Sequence, residues 1–390
     1  MRYNFTFWIL SFKNRIAIIS AALNYEMPVP ISSVLIVGGS GFLGCHLVEN
    51  FYKLMPRPEI HILDIRPPPA LSPNFYSFNP DDISFHKGDI TDPDSLRAIF
   101  RATMPDVIIH SASPVHGMGK DIYFKVNVDG TQTIVDVALE QEFWSTIKAV
   151  VYTSSASVIY DGSDLKNADE TFEFPEVAMD AYNETKAFGE QIVLSANGKG
   201  AGLKTCALRP SGLFGPGDRQ LVPGMLAVLK TNGTLFQLGD NMNLFDFTYI
   251  GNVAHAHVLA AKKLLDSDVS DVAGEAFFIT NDAPVYFFTM PRTIWAHKGY
   301  VPKFIISMPR GVGMTLAYLS ELFSKMRGKE ALFTRFRVAF TCANRYFNIN
   351  KAVKRLGYTP IVGLEEGVIK TLQWLDEEEA AKNEVAKKEN

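Results

Sequence analysis

The sequence predicts an α/β protein: a doubly wound parallel sheet with helices on both faces and a smaller C-terminal lobe. Two observations carry most of this. From residue 34 onward, short apolar runs alternate with helix-length stretches, the pattern of repeated βαβ units. The first run, Val34-Leu35-Ile36-Val37, enters the glycine cluster Gly38-Gly39-Ser40-Gly41-Phe42-Leu43-Gly44, which reads as a buried strand, a tight turn and a helix start. Size and composition agree. A chain of 390 residues with 47% hydrophobic and 21% charged residues can bury a large core in one or two domains.

Taken in order, residues 1–26 are expected to stand apart from the fold, as a non-fold extension or a targeting segment. They hold two apolar runs split by Lys13-Asn14-Arg15, each far short of the ~20 residues a membrane span needs, and Met27 sits just before the first strand. Strands are predicted at 34–37, 60–63, 83–87, 107–110, 149–153, 205–208 and 276–280, and helices at 94–101, 121–140, 182–196 and 253–265. Pro67-Pro68-Pro69 opens a long surface loop. The predicted boundaries are a core over 33–300 with interleaved substrate segments, a lobe over 301–375, and a charged, solvated tail over 376–390.

The net charge of −4 provides no field for nucleic acid. Cys45, Cys206 and Cys342 lie far apart without a CxxC pair, which points to reduced packing residues. No metal-ligand spacing is present. His255 and His257 are two apart on a predicted helix, point in different directions, and are read as packing residues.

Ligands of open parallel sheets bind beyond the carboxyl ends of the strands, and those ends carry the informative residues. Gly38 suits the turn, Gly41 lets backbone approach a pyrophosphate, and Gly44 permits close helix–strand packing, a GxxGxxG variant of the dinucleotide fingerprint of Rossmann-type sheets. Asp64 ends the second strand twenty residues after Gly44, where an acid meets adenosine ribose hydroxyls. Its charge repels a 2′-phosphate, so NAD is favoured, with NADP as the alternative that Arg66 leaves open. Asp89 and Ile90 follow the third strand, where Asp89 can meet an adenine amino group. Ser111–Ser113 follow the fourth.

The fifth strand runs into Thr153-Ser154-Ser155-Ala156-Ser157, and Tyr182 and Lys186 follow at i, i+4 on one helical face. A phenol of ordinary pKa ~10 is a poor base at neutral pH. An adjacent ammonium lowers it, which makes acid–base chemistry on an alcohol or ketone, with a nicotinamide carrying hydride, the expected reaction.

With these residues in this order, the chain resembles the extended short-chain dehydrogenase/reductases from about residue 33 to 374. The narrower resemblance is to the 3β-hydroxysteroid dehydrogenase branch and its decarboxylating, sterol-4α-carboxylate-oxidising members. It is carried by Tyr152-Thr153-Ser154-Ser155-Ala156-Ser157-Val158-Ile159, Arg209-Pro210-Ser211-Gly212-Leu213-Phe214-Gly215-Pro216-Gly217-Asp218, Asp246-Phe247-Thr248-Tyr249-Ile250-Gly251-Asn252-Val253, Arg345-Tyr346-Phe347-Asn348-Ile349 and Leu356-Gly357-Tyr358-Thr359-Pro360. The resemblance implies catalytic roles for Ser155, Tyr182 and Lys186, with Ser154 and Ser157 as neighbours of the serine. It implies cofactor contacts at Gly38, Gly41, Gly44, Asp64, Asp89, Ile90, Tyr182, Lys186 and Pro210.

The resemblance further implies NAD(P)-dependent oxidation of the 3β-hydroxyl of a sterol or a related triterpenoid or meroterpenoid, with C4 decarboxylation through a 3-keto intermediate. The alternatives are a 3β-hydroxysteroid dehydrogenase/isomerase, another extended reductase or epimerase, and a non-catalytic dinucleotide-binding regulator. Asp180-Ala181 before Tyr182 departs from the bulkier residue expected there. A donor near Ser211 or Asn243 is expected to reach a substrate carboxylate. The stretch 303–323 is apolar with few charges and, with a sterol substrate, is expected to form a membrane-facing part of the lobe; an ordinary core helix is the alternative. The implied setting is the cytosolic face of the endoplasmic reticulum membrane, alternatively the cytoplasm, with peripheral membrane contact and a homodimer or a sterol-demethylation enzyme complex as partners.

Overall fold

The computed structural model describes residues 30–388 except 116, 232, 267–270 and 329–332. Residues 1–26 therefore lie outside the described residues. Seven strands form one parallel sheet: β1 Ser33–Val37, β2 Glu59–Asp64, β3 Ile83–Lys87, β4 Val107–His110, β5 Ala149–Thr153, β6 Lys204–Pro210 and β7 Glu275–Ile279. Their spatial order is β7-β6-β5-β4-β1-β2-β3, with the order reversing at β1. This is the Rossmann-type topology, whose reversal opens a crevice at the carboxyl edge.

The strands are apolar on both faces because both are covered. Val34 and Ile36 pack with the helices α1 (Phe42–Tyr52) and α5 (Ile250–Leu265), while Leu35 and Val37 join Leu96, Phe100 and Ile134 on the opposite side. That second face is built by α2 (Pro93–Thr103), α3 (Thr131–Ala138) and α4 (Ala181–Ser195). The α2 N-terminus is capped by Asp92, whose carboxylate accepts from Asp94 and Ser95 N–H. The helix predicted at 121–140 is interrupted: Lys120–Tyr123 passes into a π-helical stretch, Phe124–Gly130, before α3 begins. Hydrophobic spacing does not distinguish these hydrogen-bond registers, and π-bulges often mark functional positions.

The second lobe is not confined to 301–375. Its four-stranded sheet pairs Val285–Tyr286, Leu244–Phe245, Arg345–Phe347 and Leu165–Ala168, so segments far apart in sequence assemble into one sheet. The stretch 303–323 also divides. Ile306–Met308 pairs with Phe236–Leu238, and α6 (Arg310–Met326) follows. Gly313 and Ala317 are its buried residues, while Leu316, Leu319, Leu322 and Phe323 are exposed, which is not the pattern of a core helix. Among the described residues no helix is long and apolar enough to cross a membrane.

The charged stretch from 376 is a second correction. It continues the helix α7, Leu364–Lys388, and its first part is anchored rather than free. Asp376 accepts from His297 and Lys298, Glu377 from Ser72 and Asn74, and Glu379 from Lys298.

Candidate active site

The glycine turn is built as its chemistry requires. Gly38 has φ +81°, and a Cβ there would lie 2.7 Å from the Ala112 backbone. A Cβ on Gly44 would meet the Gly38 oxygen at 2.3 Å, so α1 could not approach β1 with any other residue. Gly41 is different: a Cβ would meet only the Gly38 oxygen, at 3.1 Å, and its outer side is open. Gly41 also caps α1 with no side-chain hydrogen bond, so the first-turn N–H groups have no side-chain acceptor. An open glycine before uncapped N–H groups is a cradle that fits an anionic pyrophosphate.

Asp64 ends β2 beside this turn. Its carboxylate accepts from Ser40 N–H at 3.2 Å and Arg66 N–H at 3.1 Å, which fixes it at the edge with lone pairs to spare. Arg66 is exposed. Asp89 binds the N–H and hydroxyl of Thr91, and the backbone bond holds its carboxyl below the usual range. Ile90 beside it is buried. Pro210 closes β6 on the same edge and leads into Ser211 and Gly212.

The three serines after β5 separate clearly. Ser154 is buried and donates to Glu190, which also receives Arg209 in a buried ion pair at 2.6 Å. Ser157 shares a 2.7 Å bond with Ser155. Ser155 also bonds the Tyr182 phenol. Tyr182 is set by α4, whose N-cap is Asp180: its carboxylate accepts from Asn183 N–H at 2.8 Å. The unexpected acid two residues before the tyrosine is thus a helix cap, worth about 1 kcal/mol. The Tyr123 ring meets Tyr182 edge-on at 5.8 Å.

Lys186 departs from expectation. Its ammonium donates to the Thr153 carbonyl and lies 4.4 Å above the Tyr152 ring. Burial pushes its pKa down to about 7, against the opposing pull of Glu190. Tyr182 is not activated within the protein alone. Burial pushes its pKa up to about 12, outweighing the hydrogen bond with Ser155. The i, i+4 spacing places both residues on one helical face, but the cost of burying charge falls on each. His257 holds the same strand end, with Nε2 2.8 Å from the Thr153 hydroxyl and Nδ1 2.8 Å from the Val253 carbonyl.

Sequence reasoning passed over Asn127. It lies in the π-helical stretch, is buried, donates to the Thr185 hydroxyl at 3.1 Å, and its Oδ1 has no hydrogen-bond partner. Only the irregular helix register singles it out. The donors expected near Ser211 and Asn243 are already committed. The Ser211 hydroxyl donates to the Asp246 carbonyl, and the Asn243 amide donates to the Thr341 and Ala343 carbonyls.

Residues 35–310 match the 3-beta hydroxysteroid dehydrogenase/isomerase family. The chain belongs to that family. It is 54% identical over 89% of its length to the decarboxylating sterol-4-alpha-carboxylate 3-dehydrogenase of Saccharomyces cerevisiae, covering 99% of that protein. It is 34% identical over 87% of its length to the human protein of the same description, covering 87% of it. In fold it is similar to the dTDP-glucose 4,6-dehydratase of Bacillus anthracis solved in complex with NAD, with TM-score 0.65 and 20% identity over 90% of this chain and 98% of that one.

Proposed function

We propose that this family member oxidises the 3β-hydroxyl of a 4α-carboxy sterol with NAD, and that the 3-keto acid formed loses its C4 carboxyl as carbon dioxide. The observation that carries the chemistry is the Ser155–Tyr182 hydrogen bond on the sheet edge that also carries the glycine cradle. The 54% identical relative over nearly its whole length supports the substrate class.

Gly38, Gly41 and Gly44 would hold the pyrophosphate, Asp64 the adenosine ribose, Asp89 and Ile90 the adenine side, and Pro210 the nicotinamide end. Bound there, NAD supplies the hydride acceptor and a cationic ring that offsets the cost of a buried phenolate. Ser155 orients the C3 oxygen, and the Tyr182 phenolate oxygen takes its proton. Lys186, held by the Thr153 carbonyl, would hold the ribose and, when protonated, stabilise the phenolate. Oxidation places a carbonyl β to the carboxylate. When the C4–carboxyl bond breaks, its electron pair delocalises into that carbonyl, and the enolate oxygen recovers the proton from Tyr182.

The exposed apolar face of α6, with Phe304 and Ile306 beside it, supports peripheral attachment to the membrane in which a sterol dissolves, and thereby the endoplasmic reticulum setting. The test of function is stoichiometry. A 3β-hydroxy-4α-carboxy sterol should yield NADH and carbon dioxide in equal amounts. Carbon dioxide without NADH, or no turnover of this acid, would refute the proposal.

A further inference from the structure

Among the described residues two arginines are buried, Arg209 and Arg345, and they are treated differently. Arg209 has Glu190. Arg345, 4% exposed, has no carboxylate and no hydrogen-bond acceptor for its side chain among the described residues, and its Nε and Nη1 are buried without partners. Its guanidinium sits instead in an aromatic box, 4.3 Å from the Tyr160 ring, 4.5 Å from Phe340 and 5.6 Å from Phe245. Aromatic faces offset part of the cost of a buried cation, but they accept none of its hydrogen bonds in the planar fork geometry. The Tyr160 hydroxyl in the same box is also buried and unpartnered. The box therefore holds an excess of donors and a positive charge, with no protein acceptor to meet them.

Three connections place this box against the catalytic centre. Tyr160 directly follows the short helical turn Ala156–Ile159, whose N-cap is Ser155. Asp180, the cap of the helix bearing Tyr182, lies within electrostatic reach of Arg345. Phe245, the strand partner of Arg345, packs against Gly212 in the segment following Pro210, where a Cβ would touch its ring at 2.6 Å. The serine turn, the tyrosine helix and the nicotinamide-facing segment converge on one unpaired guanidinium.

We propose that Arg345, with the Tyr160 hydroxyl, binds the carboxylate of the substrate and makes the site selective for the acid. This rests on the function proposed above and supplies the recognition that Ser211 and Asn243 cannot. A carboxylate on the carbon adjacent to the reacting alcohol is the anion that must lie beside Ser155 and Tyr182, and a forked donor suits it. Asp246 does not serve as the counter-ion: its carboxylate accepts from Phe347 N–H, and Arg345 is not among the charges acting on it.

The test compares kcat/KM for NADH formation on a 3β-hydroxy-4α-carboxy sterol and on its 4α-methyl counterpart, using the full chain with saturating NAD. For Arg345→Met the acid-over-methyl ratio should fall about 10- to 100-fold, the range for losing a charge-assisted pair of hydrogen bonds. Arg345→Lys, which keeps charge but loses the fork, should fall between the two. An unchanged ratio would overturn the proposal whatever the absolute rates, because a merely structural arginine affects both sterols alike. If Arg345→Met loses NAD binding, the Lys variant decides: equal losses on both sterols overturn the proposal, and a selective loss on the acid supports it. Wild-type protein that fails to oxidise the acid but oxidises the methyl sterol would instead overturn the function proposed above, and this inference with it.

Discussion

Replacing Lys186 with methionine should change the pH dependence of stability by an amount the structure sets. The ammonium is buried, and its pKa falls from the ordinary 10.5 to about 7. Between those values the unfolded chain holds a proton that the folded chain has lost, so stability rises with pH across this window. At 1.36 kcal/mol per unit, a shift of this size is on the order of 4–5 kcal/mol over the full window, of which about 2 kcal/mol falls between pH 7 and 9. Lys186→Met lacks that gain and leaves the Thr153 carbonyl unpartnered, at a cost of about 1–3 kcal/mol at every pH. The wild-type advantage should therefore be about 2 kcal/mol larger at pH 9 than at pH 7. Urea unfolding followed by tryptophan fluorescence, without cofactor, measures both proteins at both pH values. Other titrating groups contribute equally to each and cancel. An equal gap at pH 7 and 9 would show that the buried lysine is not the group that loses its proton.

Four further outcomes follow from the same geometry. Tyr182→Phe should reduce turnover at least a hundredfold while leaving the NAD dissociation constant within about twofold; retention of a tenth of wild-type activity would remove the tyrosine from its role. Asp64→Ser should raise the NADP-over-NAD ratio of kcat/KM by about tenfold or more, since it deletes the charge opposing a 2′-phosphate, and a wild-type preference for NADP would show that Arg66 dominates. Glu190→Gln leaves the buried Arg209 without its counter-charge and should cost about 3–5 kcal/mol in urea unfolding; a loss under 1 kcal/mol would contradict the ion pair. Leu316→Glu with Leu319→Glu should abolish flotation with sterol-containing vesicles while leaving the melting temperature within about 2 °C, because both side chains are exposed; a large drop in melting temperature would mean that α6 is a core helix.

The sheet was legible because each strand and its terminal residue form one short run of sequence: 34–37 with Gly38, 60–63 with Asp64, 149–153 with the serines. Parallel pairing then carries those ends to a common edge without further information. Tyr182 was legible by its spacing to Lys186, but the direction in which Lys186 points was not. That depends on the Thr153 carbonyl and the Tyr152 ring, two residues of β5. Charge density read the stretch from 376 as a tail, whereas Ser72, Asn74, His297 and Lys298, brought close by folding, anchor its beginning as helix. Arg345 was invisible for the same reason. Its neighbours Leu165 and Phe245 are fixed by strand register across a hundred residues or more, and nothing local marks an arginine as unpaired.

The distribution of buried charge also accounts for the order of the chemistry. Where a cation serves only the framework, as Arg209 does between β6 and α4, the chain supplies its counter-ion, Glu190. Lys186 and Arg345 form no ion pair among the described residues: Lys186 donates to the Thr153 carbonyl, and Arg345 sits among the Tyr160, Phe245 and Phe340 rings. A buried guanidinium without a counter-ion raises the free energy of the resting protein, and a carboxylate arriving beside it would relieve that cost. The reaction brings negative charge twice, as the substrate carboxylate on binding and as oxygen anion at C3 during oxidation and decarboxylation. In the proposed reaction, loss of carbon dioxide removes the first charge and creates the second, so negative charge would shift from the carboxylate to the C3 oxygen. In this proposal Arg345 would hold the acid for oxidation, and Tyr182 would supply the proton that ends the second step.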